Sequence, residues 1–575
     1  MKFPIRISSI LCIACLYVAS CSALDREAFT FTNYDLHVRL EPEQQRIGVR
    51  GKITLRNDSS SPQKLAVLQI SSSLDWRSIT IGGKAPQFVL HPYASDIDHT
   101  GALSEAIVTL PQDIAPHGSV DLEIGYEGVI PLDTTRLTRI GTPEDAAQSA
   151  DWDQISANFT AVRGIGYVAW YPIATESANL SEDDSLDQIL GRWKQREAGA
   201  MMTAAFENED QANNGAERVI CGAQEMQGTT SDGAPKVPFW QCNYDDISQS
   251  TPTFVRANYG VVNRPSITVF NLPTHAVAAE SYADAAEKAV SVVTDCFGTP
   301  REKAQTVDLQ DPDAAPFESG SLLLTPLASI DAQSSGLAAT HQLTHAAFIS
   351  FRPWIEEGLA HFTQALYVER GKGLQAVLDY MAAHRAALVQ IENSTAVTEG
   401  ADQTKQSLVN TTNEELYRSK AMSVWWMLRD MVGDAALKKA LAQYRAGQDK
   451  DPSYMQRLIQ AQTQRDLQWF FDDWVYHDRG LPDFKVESAF ASKTVNGTFM
   501  VTITIGNLGW AGAEVPVTVK FATGEIATRL EVRGKSRATT RVETPMAPEE
   551  IVVNDGSVPE GDVSNNKFEF KTPEN

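Results

Sequence analysis

Ala338-Ala339-Thr340-His341-Gln342-Leu343-Thr344-His345-Ala346-Ala347-Phe348, followed closely by Trp354-Ile355-Glu356-Glu357-Gly358-Leu359-Ala360-His361-Phe362, is the stretch on which the reading of this chain turns. The first segment consists of good helix formers and sets two histidines four residues apart. On an α-helix, positions i and i+4 share one face, so both imidazoles can reach a single cation. Two such histidines alone are equally well explained as packed helix side chains. Arg352-Pro353 stops the first helix before the second segment begins.

The second segment resembles the W-x-x-E-G-x-A stretch of gluzincin peptidases, and with the paired histidines it makes the chain similar to M1-type zinc aminopeptidases. The resemblance implies one zinc ion per chain, held by His341, His345 and Glu357. Glu356, or His361 one turn beyond Glu357, competes for the third ligand position. The eleven residues between His345 and Glu357 form a shorter connection than the family uses. Tyr417-Arg418-Ser419-Lys420-Ala421 is similar to the family's Y-x-K-G segment, which implies that Tyr417 stabilises an oxyanion; a tyrosine at the start of an amphipathic helix is the plainer alternative. Asp466 to Trp474 with Gly480 to Phe484 resembles the end of the M1 catalytic domain. Tyr34 to Val38 resembles the opening strand of its N-terminal domain, and Tyr167 to Pro172 resembles that domain's W-Y-P motif, so the likeness spans residues 31–484.

Two departures accompany these matches. In an HExxH site the glutamate accepts a proton from water and returns it to the leaving amine, and Gln342 stands in that place with an amide that does neither. The second departure concerns the family's G-x-M-E-N strand, whose glutamate holds the substrate's free α-amine. Its best match is Phe317-Glu318-Ser319-Gly320-Ser321-Leu322-Leu323-Leu324, with leucine at the glutamate's place. Glu318 lies five residues earlier, which on one continuous strand points it to the opposite face unless a bulge intervenes.

Outward from this centre the periodicity predicts a multidomain α+β chain. Residues 24–264 alternate with a period of two, as in Leu36, Val38 and Leu40 or Val120, Leu122, Ile124 and Tyr126, and read as one or two antiparallel β-domains. Residues 265–480 carry helical periods at 281–296, 339–351, 354–370, 374–391, 415–432 and 435–446, a mainly helical gluzincin (thermolysin-like) region with a polar loop at 393–413. Residues 481–575 return to alternation and read as an immunoglobulin-like β-sandwich with a polar tail.

The N-terminus has Lys2 and Arg6, an apolar run over 7–19, then small residues, so residues 1–23 read as a signal peptide and the protein as exported. Val18-Ala19-Ser20-Cys21 resembles a bacterial lipoprotein cleavage box with Cys21 as the lipidated residue; cleavage near Leu24 with free secretion competes. No later stretch is long enough for a transmembrane helix. Of six cysteines, three belong to this leader. Cys221 and Cys242 flank a turn-rich segment and read as a hairpin disulfide, and Cys296 as a buried thiol.

The 575 residues exceed one hydrophobic core, and 43% hydrophobic with 21% charged residues is globular composition. A net charge of −24, from 73 acidic against 49 basic residues, repels nucleic acid and leaves peptides or proteins as the expected partners. The favoured reading is a peptidase scaffold that keeps zinc and cleft, binds peptides, and hydrolyses them weakly or not at all because of Gln342. An active metallopeptidase using Glu356 or Glu318 as base is one alternative, and a structural β-rich envelope protein another.

Overall fold

The computed structural model of this 575-residue chain describes residues 24–570 except 183–184, 209–216, 222–225, 230–237, 301, 395–406 and 412. The expected leader 1–23, with Cys21, lies outside the described residues. Along Phe29–Glu41 the side chains of Leu36, Val38 and Leu40 are buried while His37 and Arg39 face solvent, and this alternation lets the strand cover a core with one face. It pairs antiparallel with Arg46–Asn57, which pairs with Ser119–Val129 and then Leu74–Thr80. On its other side Phe29–Glu41 runs parallel to Met201–Asn208, so the region expected to be antiparallel throughout is mixed. A parallel neighbour requires a long crossover, and the chain between these strands supplies it, ending in the helix Ser185–Arg196.

Cys221 and Cys242 form the expected disulfide. It is not contained within one hairpin. Cys221 lies opposite Phe254 in a four-stranded sheet, whereas Cys242 lies opposite Ala204 in the seven-stranded sheet, so the bridge ties two sheets together. Cys296 is a buried free thiol, and burial pushes its pKa up to about 11.

The region expected to be mainly helical opens on a mixed five-stranded sheet in the order Gly260–Asn263, Ile267–Asn271, Ala304–Asp308, Leu322–Thr325, Phe317–Ser319. Its central strands run parallel and are buried on both faces, with Leu322, Leu323 and Leu324 fully enclosed. Short apolar runs of this kind cannot be told from buried helix turns by periodicity alone. The predicted helices follow as Ala276–Phe297, Ser335–Ala347, Pro353–Lys372, Leu374–Ser394, Met422–Val432 and Asp434–Gln443. Met422–Val432 is preceded by a π-helical turn, Leu416–Ala421. Lys420 in that turn is buried between the carboxylates of Glu392 and Asp478, each at 2.7 Å. The expected 393–413 loop lies mostly outside the described residues.

Beyond Phe484 two further sheets form. One contains Phe484–Lys493, Phe499–Asn507 and Arg537–Thr544; the other contains Gly524–Val532, Ala513–Phe521, Pro548–Val553 and Lys567–Glu569. Val501, Ile503, Val517, Val519 and Ile551 from both sheets share a core with Trp469, Phe470 and Trp474 of the helical region. Among the described residues no helix is long and apolar enough to cross a membrane.

The disulfide closes a separation of 21 residues, which in the chain-entropy account contributes about 3 kcal/mol. Denatured, unreduced protein lacking residues 1–23 is expected to titrate one thiol, Cys296. The Cys221→Ser/Cys242→Ser double variant is expected to unfold at lower denaturant by about that energy; three free thiols in the parent would contradict the bridge.

Candidate metal centre

The helix Ser335–Ala347 is pinned on one side by Ala339 and Leu343, which pack with Tyr282, Ala283 and Ala286 of the neighbouring helix Ala276–Phe297. Thr340 and Thr344 satisfy their hydroxyls on the carbonyls of Gly336 and Thr340, one turn back, so neither needs a partner outside the helix. Pro353 occupies the first turn of the next helix, where its missing N–H is harmless. Gly358 explains the glycine that follows the glutamate: a Cβ there would stand 2.8 Å from Ala421 and 2.9 Å from the Trp425 indole nitrogen. Only a glycine lets the Tyr417-bearing turn and the following helix approach so closely.

These contacts bring three donors together. The Nε2 atoms of His341 and His345 are 3.2 Å apart, and Glu357 places its oxygens 3.5 Å from the first and 3.4 Å from the second. Ligands about 2.0–2.2 Å from a tetrahedral ion are separated by about 3.3–3.6 Å, so the two nitrogens and the carboxylate fit such a site. Among the described residues His341, His345 and Glu357 are the group whose donor atoms all lie within 4.8 Å of one another. The other two candidates for third ligand have different engagements. Glu356 accepts the backbone N–H of Ser350 and lines the adjoining cleft, and the Nδ1 of His361 is bonded to Gln364 Oε1 at 2.8 Å.

That cleft, about 130 Å³ in volume, is lined by Glu318, Glu356, Glu357, His345, Lys194 and Thr251, among others. Here the expectation for Glu318 is overturned. The chain reverses at Gly320, whose φ of +58° suits glycine, so Phe317–Ser319 and Leu322–Thr325 are antiparallel neighbours with Glu318 opposite Leu323. Directly opposed residues point to the same face, and Leu323 packs with Ala339 and Leu343 of the two-histidine helix. Residue parity counted across the turn had placed Glu318 on the wrong side. Phe317 beside it is wedged edge-on against Tyr167 at 5.4 Å, and Tyr167 stacks on the buried Arg163 guanidinium at 3.5 Å.

Gln342 is buried between two partners. The Tyr282 hydroxyl donates to its Oε1 at 2.5 Å, which turns its amide towards the Glu318 carboxylate, to which it is hydrogen-bonded. Burial pushes the Glu318 carboxyl up to about 7; the His345 charge and the Gln342 bond oppose this, while Glu357 and Glu356 add to it. Burial likewise raises Glu356, against the pull of His345 and Lys194. On His345 burial disfavours charge, but Glu357, Glu318 and Glu356 outweigh it and hold the pKa above the usual imidazole range. Burial, with His345, His361 and Arg418 nearby, keeps His341 well below that range.

Tyr417 donates its hydroxyl to the Thr411 carbonyl and packs its ring in the helical core; it is not among the side chains lining the cleft. From the same turn it is Arg418 whose charge is felt at His341, His361 and His384. Tyr282 and Lys194 lie in no motif and Arg418 was quoted only as a neighbour of Tyr417, and each acts on the site from another element. A larger cavity of about 480 Å³, between Trp152, Phe159 and Leu309, holds no comparable cluster of titratable groups.

No family model matches the sequence, and no curated protein matches it. Among solved structures the chain is similar to the M1 zinc metallopeptidase of Deinococcus radiodurans, at 15% identity over 76% of this chain and 90% of that one, with a TM-score of 0.50. A mutant of the same metallopeptidase matches at 14% identity, 76% and 92% coverage and a TM-score of 0.50. The likeness is one of fold: mixed α+β with the architecture of M1 zinc metallopeptidases.

Because Gly358 has no room for a side chain, Gly358→Ala is expected to destabilise by about 1–3 kcal/mol through overpacking. It should also displace Glu357, its immediate neighbour. Thermal unfolding with parallel metal analysis checks both; an unchanged melting temperature would contradict the packing argument.

Proposed function

We propose that this chain is an exported protein on an M1-metallopeptidase scaffold that holds one zinc ion with His341, His345 and Glu357 and receives the amino-terminal end of a peptide or protein beside it. Hydrolysis is slow or lost because Gln342 stands where a proton-accepting glutamate belongs. The observation that carries this reading is the convergence of two imidazole nitrogens and a carboxylate, 3.2–3.5 Å apart, next to two further carboxylates in one cleft. A zinc ion at that place supplies Lewis-acid polarisation of a carbonyl oxygen.

The chain's own residues account for the rest. Glu318 and Glu356 present negative charge to the cleft, which favours an ammonium group such as a free α-amine. Gln342 cannot exchange a proton near neutral pH, and its amide is held by Tyr282 and Glu318. Loss of acid–base assistance removes about 10²- to 10⁴-fold in rate. For the chain as a whole we read 1–23 as a leader, cleaved either before a lipidated Cys21 or near Leu24, 24–264 and 265–480 as the β-rich and catalytic-type domains, and 481–575 as an immunoglobulin-like module. The Cys221–Cys242 bridge supports an oxidising compartment.

Metal analysis of protein lacking residues 1–23 is expected to find about one zinc per chain, and none in His341→Ala. Should Glu357→Ala keep its zinc while Glu356→Ala or His361→Ala loses it, the third ligand is another residue.

One observation favours a second reading, an active peptidase with Glu318 as base: its carboxylate is bonded to the residue that replaced the base, and its pKa is about 7. As a base it must be deprotonated, so activity would rise as pH increases through about 7 and vanish in Glu318→Gln. The favoured reading expects the opposite ordering in a kinetic assay on free and blocked peptides. Wild type is near background, and Gln342→Glu gains about 10²-fold or more with a preference for a free amino terminus. Brisk wild-type turnover abolished by Glu318→Gln would install the second reading in place of the first.

A further inference from the structure

Lys194 stands in the helix Ser185–Arg196 of the β-rich region, whose apolar face is fixed by the buried Ile189 and Trp193. Its cationic neighbours on that helix are paired, Arg192 with Glu27 and Arg196 with Glu27 and Glu197. Lys194 itself makes no hydrogen bond and no ion pair among the described residues. Its half-buried side chain carries the ammonium to 5.9 Å from the centroid of the Phe351 ring, within the range in which a ring face attracts a cation. Both side chains line the cleft that holds Glu318, Glu356 and Glu357, and among the described residues Lys194 is the sole lysine or arginine to do so. Its charge is felt at Glu356 without an ion pair between them.

An unpaired ammonium and a group of carboxylates in one cleft suit a ligand that carries both signs. In the proposed function Glu318 and Glu356 receive the α-amine of a peptide, and its first carbonyl turns to His341, His345 and Glu357. The α-carboxyl of the first residue is then spent in the peptide bond, so an anion for Lys194 comes from the side chain. The cleft measures about 130 Å³, below the about 300–1,000 Å³ of sites that enclose a drug-sized ligand, so it fits one residue rather than a longer segment. We infer that Lys194 is a specificity-determining residue that selects peptides or proteins beginning with aspartate or glutamate, its ammonium pairing with the side-chain carboxylate. Such a first residue brings one positive and one negative group, each to a partner of opposite sign. A neutral first residue leaves Lys194 unmatched, and a lysine or arginine there sets a second cation against it. The inference rests on the reading of Glu318 and Glu356 as partners of the amine.

Calorimetric titration of protein lacking residues 1–23, supplied with zinc, tests this with Glu-Ala-Ala-amide, Gln-Ala-Ala-amide and acetyl-Glu-Ala-Ala-amide. The amide ends leave the glutamate side chain as the sole anion. The glutamate peptide is expected to bind about 10-fold or more tightly than the glutamine peptide, because a hydrogen bond between charged groups exceeds its neutral counterpart by that factor. Lys194→Met, which keeps the apolar stem, should erase the difference and leave affinity for the glutamine peptide unchanged. Lys194→Arg should retain the preference, and Lys194→Glu should transfer it to Lys-Ala-Ala-amide; circular dichroism confirms that each variant is folded. Equal affinity for the two peptides in wild type overturns the inference, as does a glutamate preference that survives Lys194→Met; a large loss on acetylation would in either case leave the amine reading standing. If acetylation costs nothing, the amine reading fails, and the comparison of wild type with Lys194→Met decides the role of Lys194 by itself. Absence of binding by every peptide overturns both.

Discussion

Three carboxylates and the His345 imidazole line one recessed cleft, with His341 beside them at 3.5 Å from Glu357, and their mutual electrostatics are the constraint to which the surrounding structure answers. Burial, and after it the repulsion among Glu318, Glu356 and Glu357, raises the carboxyl pKa values of Glu318 and Glu356, while the same carboxylates favour a cation at His345. The nearby protein cation that lines the cleft is Lys194, from the helix Ser185–Arg196 of the β-rich region. An arrangement with so much uncompensated negative charge stabilises an external cation, whether a metal ion among the donors or an ammonium group beside them.

Glutamine at position 342 has a physical consequence of its own in this setting. A glutamate there would place a fourth carboxylate against Glu318, which already sits at about 7. The amide instead accepts from Tyr282 and donates to Glu318, which lowers the cost of keeping Glu318 in the cleft. An amide does not exchange a proton near neutral pH, and the same side chain steadies the neighbouring carboxylate.

The wider fold serves this cleft from both sides. Towards the β-rich region, Asp153 holds Arg163, Arg163 stacks between Trp152 and Tyr167, and Tyr167 wedges Phe317, the neighbour of Glu318. Towards the carboxy-terminal sheets, Lys420 binds Glu392 and Asp478, and Trp474 donates to the Gly512 carbonyl at 2.7 Å. Buried ion pairs of this kind add little net stability but penalise every alternative packing that would leave one charge alone.

The sequence alone determined what depends on short-range periodicity. Histidines at i and i+4 share a helix face whatever the rest of the chain does; Glu357 as their neighbour came from the family resemblance, with Glu356 and His361 left open by spacing alone. Period-two runs such as 34–40 likewise identify strands. Only the tertiary structure decided which strands meet. The parallel pairing of Phe29–Glu41 with Met201–Asn208 and the disulfide between two sheets link segments far apart in sequence. The turn at Gly320 reversed the parity by which Glu318 had been assigned to the far face. Tyr282 reaches Gln342 across 60 residues, and His341 and His361 meet because their helices pack closely at Gly336, where a Cβ would collide with Tyr367. Local spacing fixes direction within one element; contact between elements is set by which surfaces exclude water together, and no spacing rule encodes that.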